Sequence, residues 1–340
     1  MSPLPTNRPI TIPLVRGDLT QEDQRALLQQ AVTDPRKKNQ PLERWEAAWQ
    51  AVWQRPCVAF ADPSELLTAL KDLLGWASGL TLQTSPLLHP IWREAMEEAW
   101  LIPSGKNPID NLGREDPLSS GETAPRWVQH LFGLPAAVDP QPSIVLEEVS
   151  SLIKPLASRV NSLVQLMVLD GNRMIQAGAT ALVFSQDGDL IEALRNIRKR
   201  PPAPAIAAFG LSQLKRLDDL ITRRELLASR YLRLRDRQQF TPPPVPEGGR
   251  RWESYVIDLP SREKRQGLQF FLNKAGIGAA PPLWYHVAKP QTNDAQAQAL
   301  AHLQENALAL PLYAHLSDRD QKRIINRVHR WVERGGPLRE

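Results

Sequence analysis

Residues 164–184 read VQLMVLDGNRMIQAGATALVF. Two apolar runs, 164–169 and 179–184, flank a polar turn, Asp170-Gly171-Asn172-Arg173. Each run has the length and β-branched content of a buried strand. The turn between them is where such a fold presents a reactive side chain. What stands there decides what the chain can do.

Working outward, the same kind of short apolar run recurs. Val58-Ala59-Phe60 is a buried strand, followed by Asp62-Pro63-Ser64 and a helix through Leu74. A strand, a tight turn and a helix N-terminus make an anion site. The simpler reading is a helix N-cap with Pro in the first turn, and it is preferred. Further strands are expected at 80–83, 127–131 and 143–146, the last leading into Glu147-Glu148. Helices are expected from Thr20, over 41–53, after Pro90, over 187–200, and as one long segment over 205–235. The tryptophans of 41–53, Trp45 and Trp49, read as packing groups. Helices alternating with short strands predict an α/β domain with a mostly parallel sheet. Residues 241–249, TPPPVPEGG, read as a linker. Beyond it the pattern predicts a small α+β domain: strand 252–259, helix 261–275, extended 283–287, helix 293–306, extended 308–312 and a final helix capped by Ser317. The expected division is therefore 1–240, 241–249 and 250–340.

Composition limits the function classes. The chain has 340 residues, 42% hydrophobic and 23% charged, as in an ordinary soluble protein. No apolar run approaches the roughly 20 residues of a membrane span, so no membrane partner is expected. Residues 1–14 lack the apolar core of a signal peptide, which makes the cytoplasm the expected compartment. Cys57 is the only cysteine, which excludes an intrachain disulfide and a cysteine-based zinc site; no metal is expected. The net charge is +5. Its densest basic run, RNIRKR at 195–200, reads either as a phosphate or nucleic-acid patch or as a solvated helix end. No aromatic pattern accompanies it, so the helix end is preferred and no nucleic acid is expected.

Several segments, in order, resemble the DegT/StrS family of sugar aminotransferases. They are Ile12-Pro13-Leu14, VQHLFG at 128–133, AFGLSQLKRLD at 208–218 with Arg223-Arg224, AGIG at 275–278, and LPLYAHLS at 310–317. The resemblance implies a fold-type-I, pyridoxal phosphate (PLP)-dependent large α/β domain with a small C-terminal α+β domain. It also implies a dimer with active sites at the subunit interface. His130 and Tyr313, within these segments, read as structural residues.

The resemblance also says what chemistry to look for. The family's lysine forms a Schiff base with PLP and moves the proton. Its position here is Asn172, or Arg173 if the register slips by one. An amide is not nucleophilic, and arginine stays protonated. The nearest lysines, Lys154 and Lys199, sit in segments with other readings. The family's Ser-Gly-Thr phosphate turn falls at Asp62-Pro63-Ser64; proline has no N–H to donate, and Asp62 brings negative charge towards a dianion. Ser64 keeps a hydroxyl. The aspartate that pairs with the pyridine nitrogen falls at Glu148, and the glutamine after it at Ser151. Ser64 and Glu148 are therefore the remnants of a cofactor site, and there is no catalytic residue to name. A helix is missing from 134–143, and 151–164 is short.

Three functions are compatible with these residues. The first is a catalytically impaired or inactive protein of structural or regulatory role, a homodimer or a heterodimer with a related aminotransferase, with no cofactor expected. The second is an active PLP transaminase acting on a nucleotide-linked keto-sugar in polysaccharide or antibiotic-sugar biosynthesis. The third is a binder of sugar nucleotides, using arginines such as Arg159 and Arg173. The first is preferred.

Overall fold

The computed structural model describes residues 9–30, 40–107, 109–110, 113–115, 124–136, 144–156, 161–171, 173–234, 240–246, 248–283 and 295–336. Helix α1 (Gln21–Gln30) is opened by a reciprocal cap: Asp23 N donates to Thr20 Oγ1 while Thr20 N donates to Asp23 Oδ2 at 2.7 Å. Then come α2 (Gln40–Trp53), β1 (Cys57–Phe60), α3 (Pro63–Leu73), β2 (Thr81–Leu82), α4 (Pro90–Glu98), β3 (Ile102–Pro103), β4 (Arg126–Gln129), β5 (Val145–Glu148), β6 (Val164–Leu169) and β7 (Thr180–Phe184). Helices α5 (Gly188–Ile197), α6 (Pro204–Leu214) and α7 (Leu217–Tyr231) follow. The rest is β8 (Tyr255–Asp258), α8 (Arg262–Lys274), α9 (Ala295–Asn306), β9 (Ala307–Leu310) and α10 (Asp318–Glu333).

The main sheet has the order β1-β7-β6-β5-β4. β2 and β3 pair in parallel, and Gln83 continues β2 onto β4: Trp127 N donates to Gln83 O at 2.8 Å. The sheet is mixed, because β7 runs antiparallel to both β1 and β6 while β4, β5 and β6 are parallel. The two runs flanking the polar turn are β6 and β7, in register from Gln165–Phe184 to Leu169–Thr180. Their period of two places alternate side chains on opposite faces. Leu166, Val168, Ala181 and Val183 enter one core with Trp92 and Trp127. Met167, Leu169, Leu182 and Phe184 enter another with Trp45, Trp49 and Trp53. Both faces are covered, which is why the strands read as unbroken apolar runs. Ala179 falls outside β7 because it has a left-handed backbone, φ +61, beside Gly178.

Beyond residue 250, β8 and β9 form an antiparallel pair packed on α8 and α10. Their core also takes Ile12 and the end of α7, Leu227, Ala228 and Tyr231. Gly278 N donates to Ile12 O at 2.7 Å, so the Ile12-Pro13-Leu14 and AGIG segments lie side by side. Tyr313 is buried in this core, as expected.

Four expectations change. The segment over 205–235 is two helices, broken at Lys215-Arg216; these cations close α6, and Asp218 and Asp219 open α7, so the charges suit two dipoles. β8 starts at Tyr255 rather than Trp252, because the chain turns at Glu253, whose N–H donates to Arg251 O at 3.0 Å. The basic run ends α5 but is not simply solvated. Arg198 donates to Glu46 and to Ala59 O, both at 2.7 Å, and Arg200 pairs with Asp62 at 2.7 Å. The strand expected at 143–146 is Val145–Glu148. The extended stretch at 283–287, except Leu283, and most of the gap at 134–143 lie outside the described residues.

Candidate functional site

A cavity of about 200 Å³ opens at the C-terminal ends of the parallel strands β4, β5 and β6, the usual position for a site in an α/β sheet. Three successive strand ends supply its floor: Gln129 and His130 after β4, Glu148 ending β5, and Asp170 and Arg173 after β6. Glu253 and Ser254, just before β8, close it from the other side, with apolar walls that include Leu14, Phe132 and Pro281.

Arg173 is the centre of the floor. Its side chain is only 10% exposed, Nη1 donates a short hydrogen bond to Glu253, and Nε lies 3.9 Å from Asp170 Oδ1. Burial opposes its charge, but Glu253, Glu148 and Asp170 outweigh burial and hold its proton above the ordinary guanidinium range. Burial pushes the Glu148 carboxyl up, against the pull of Arg173 and of Ser150 N, which donates to it at 3.1 Å. Trp92 Nε1 donates to the same oxygen at 3.4 Å. Burial, then Arg173, push the His89 imidazole down to about 4, although Asp170 is 3.7 Å away.

Glu147 points to the opposite face of the sheet from Glu148. It accepts from His130 Nε2 at 2.9 Å, Ser162 Oγ at 2.8 Å and Gln165 Nε2 at 2.7 Å. His130 Nδ1 accepts from Ala136 N at 2.9 Å, so both ring nitrogens are engaged and the histidine is structural. Ser151 Oγ donates to His130 O at 2.7 Å.

Beneath the β4 end lies a buried carboxyl the sequence did not single out. Glu115 accepts from Gln129 N and Asn107 Nδ2, both at 3.2 Å, yet burial pushes it up to about 7. The native carboxyl thus keeps its proton to a higher pH than the unfolded chain, whose value is near 4.5. Stability therefore falls as pH rises through this window. The urea midpoint is expected to be lower at pH 8 than at pH 5, and Glu115→Gln to flatten that difference.

The other expected site residues lie elsewhere. Asp62 caps α3, accepting from Glu65 N at 2.8 Å, with Pro63 in the first turn. Ser64 O accepts from Thr68 Oγ1 at 2.8 Å. Neither Asp62 nor Ser64 lines the cavity. Asp62→Ala removes a cap and is expected to cost about 1 kcal/mol in denaturant unfolding. Lys154 pairs with Asp218 at 2.7 Å, and neither it nor Lys199 lines the cavity; no lysine is among the described lining residues. Asn172 and Arg159 lie outside the described residues. His89, Asp170, Arg224 and Glu253 were not singled out as site residues. Asp170 was within reach of sequence reasoning, as part of the polar turn. Glu253, 80 residues from Arg173, gave no local signal.

Residues 205–329 match the model of the DegT/DnrJ/EryC1/StrS aminotransferase family. The whole chain has the fold of a fold-type-I PLP aminotransferase. The aminotransferase TlmJ from Streptoalloteichus hindustanus is 16% identical, with a TM-score of 0.77 over 96% of this chain and 100% of that one. PseC of Helicobacter pylori, an aminotransferase in pseudoaminic acid biosynthesis, is 18% identical, with a TM-score of 0.79 over 95% and 99%. The sugar aminotransferase CalS13 from Micromonospora echinospora is 16% identical, with a TM-score of 0.72 over 94% and 99%. No curated protein matches the sequence. No described helix is long and apolar enough to cross a membrane.

The DegT/DnrJ/EryC1/StrS family depends on PLP, whose aldehyde and phosphate each make a demand on the cavity. A lysine is needed at the cavity wall, and a protonated, carboxylate-bound arginine occupies that wall instead. A phosphate needs backbone N–H groups at a helix start, and α3 begins with a carboxylate that already holds Glu65 N. The residues present do not fit the cofactor.

Proposed function

We propose that this chain keeps the sugar-aminotransferase fold without covalent PLP chemistry, and acts as a structural, regulatory or ligand-binding protein. One observation carries the reading: the Arg173 guanidinium lies among Glu253, Asp170 and Glu148, at one of the two positions the resemblance gives to the lysine. Arginine cannot lose its proton to become a nucleophile. The altered turn at Asp62-Pro63-Ser64 supports the same conclusion, because Asp62 already takes Glu65 N and neither Asp62 nor Ser64 lines the cavity, so restoring a lysine alone would not restore a phosphate cradle. In this reading the chain pairs with itself or with a related aminotransferase, as the resemblance implies. Titrating the protein with PLP is expected to give no imine absorbance band above that of an equal concentration of a lysine-free control peptide. A saturable band would support the second reading, an active transaminase on a nucleotide-linked keto-sugar.

A further inference from the structure

Helix α10 carries its charge unevenly. Gln321, Ile324, Val328 and Trp331 bury one side of it. At about 100° per residue, Arg319, Arg323 and Arg330 fall within about 40° of one another on a different side, and all three are exposed. Among the described residues none of the three forms an ion pair with a carboxylate. Of the acids on α10, Asp318 is taken by Arg223 and Arg230 of α7, both at 2.6 Å, and Asp320 accepts from Ser317 Oγ at 2.8 Å. Glu333, the third, pairs with none of these arginines.

Neutral groups hold the arginines of this face instead. Arg323 Nη2 donates to Ala275 O at 2.5 Å and Nη1 to Thr11 Oγ1 at 3.2 Å. Arg327 and Arg334 lie over the Phe271 ring of α8, at 3.9 Å and 5.7 Å. A carbonyl or a ring face fixes a guanidinium without cancelling its charge. The basic run at 195–200 is the contrast. Arg195 meets Glu192, Arg198 meets Glu46 and Arg200 meets Asp62, each at 2.7 Å. The chain's own carboxylates take up that run, whereas Arg319, Arg323 and Arg330 leave the α10 face charged.

No exposed large apolar side chain lies on α8 or α10 among the described residues. A protein interface has an apolar core, and a helix lying in a membrane inserts an apolar face. Neither is offered here. No exposed Phe, Tyr or Trp is present to stack an unpaired base. A guanidinium fork does match a phosphate. From Arg319 to Arg330 the helix advances about 16 Å, a length over which one duplex strand presents a phosphate about every 3.4 Å. We propose that this face of α10 holds the phosphate backbone of duplex nucleic acid without reading its sequence. The contact does not depend on whether PLP enters the cavity.

Fluorescence anisotropy on the full chain tests it with a labelled duplex of about 20 base pairs. Three phosphate contacts give a log–log salt slope of about −2.7, so affinity is expected to fall about fortyfold between about 50 and 200 mM salt. A duplex of unrelated sequence is expected to bind within about twofold of the first. The double variant Arg319→Gln, Arg330→Gln is expected to weaken binding at least about tenfold at low salt and to reduce the slope by about 2. Arg200→Gln, in the ion-paired run, is expected to change neither. Each variant is checked for a cooperative thermal transition first. Either single change, expected to reduce the slope by about 1, serves if the double variant does not fold. No binding of the duplex at low salt, an unchanged slope in the α10 variants, or an equal loss with Arg200→Gln overturns the proposal. Tighter binding of poly-glutamate or of phosphatidylglycerol vesicles than of the duplex, at equal charge, overturns it as well.

Discussion

Arg173→Met lowers the free energy of unfolding by about 3–5 kcal/mol, the cost of leaving buried carboxylates without their counter-charge. Arg173 is 10% exposed and Glu253 20%, so solvent does little to replace the lost guanidinium. The deficit is largest at neutral pH. Burial already raises the Glu148 carboxyl against the pull of Arg173, so without Arg173 the native Glu148 holds its proton more tightly still than the unfolded chain does. Stability of the variant therefore recovers as pH falls through the titration of Glu148, relative to the parent. Urea unfolding at pH 7 and pH 5 checks both the size and the sign. Arg173→Lys is expected to lose less, since a charge remains but the fork geometry does not. A loss below about 1 kcal/mol for the methionine variant would mean that the guanidinium is a surface-like ion pair.

The second large effect is at Gly133, which closes the turn after β4. Its φ is +73, and a Cβ there would lie 1.5 Å from Arg251 O and 2.5 Å from Arg251 C. The neighbours cannot retreat easily. Arg251 N donates to Gly133 O at 2.8 Å, and Arg250 Nη2 donates to Phe132 O at 2.6 Å. Gly133→Ala must therefore break the join between the β4 end and the segment that carries Glu253. The expected cost is about 4 kcal/mol or more, or failure to fold. Gly171→Ala is the control: it sits in the turn after β6, has nothing within 4 Å of its Cβ position, and is expected to change stability by less than about 0.5 kcal/mol. Chemical denaturation of the pair separates a clash from a general intolerance of added methyl groups.

Much of the sheet was legible because its signal is local. In β6 and β7 every side chain is buried, and alternation sends them to two cores, so the runs stand out from composition alone. The caps at Thr20, Asp62 and Ser317 were legible for the same reason, each being a side chain and an N–H three residues apart. What the sequence hid depends on distance. The basic run reads as a helix end until α2 and α3 bring Glu46, Glu65 and Asp62 to it. The helix over 205–235 reads as one because its apolar spacing continues across Lys215-Arg216. Only tertiary contacts, such as Arg216 Nη2 to Asp23 at 2.6 Å, show why it bends there.

The site was legible in part. Glu148 was offered as a remnant of the cofactor site and Arg173 as one of two residues at the lysine position, and both line the cavity. Ser64 was offered as a remnant of the phosphate turn, but its position at the start of α3 is not on the cavity wall. The partner that gives Arg173 its meaning, Glu253, could not be read at all. It reaches the cavity because β8 begins three residues later than periodicity suggests, at Tyr255, which leaves Glu253 and Ser254 free to turn inward.

The central claim is that the family's fold persists here without its nucleophile. The direct measurement is the intact mass of the protein after incubation with excess PLP and reduction with borohydride, followed by peptide mapping. No single lysine is expected to be modified to a stoichiometric degree. A stable phosphopyridoxyl adduct on one lysine, such as Lys154, would contradict it.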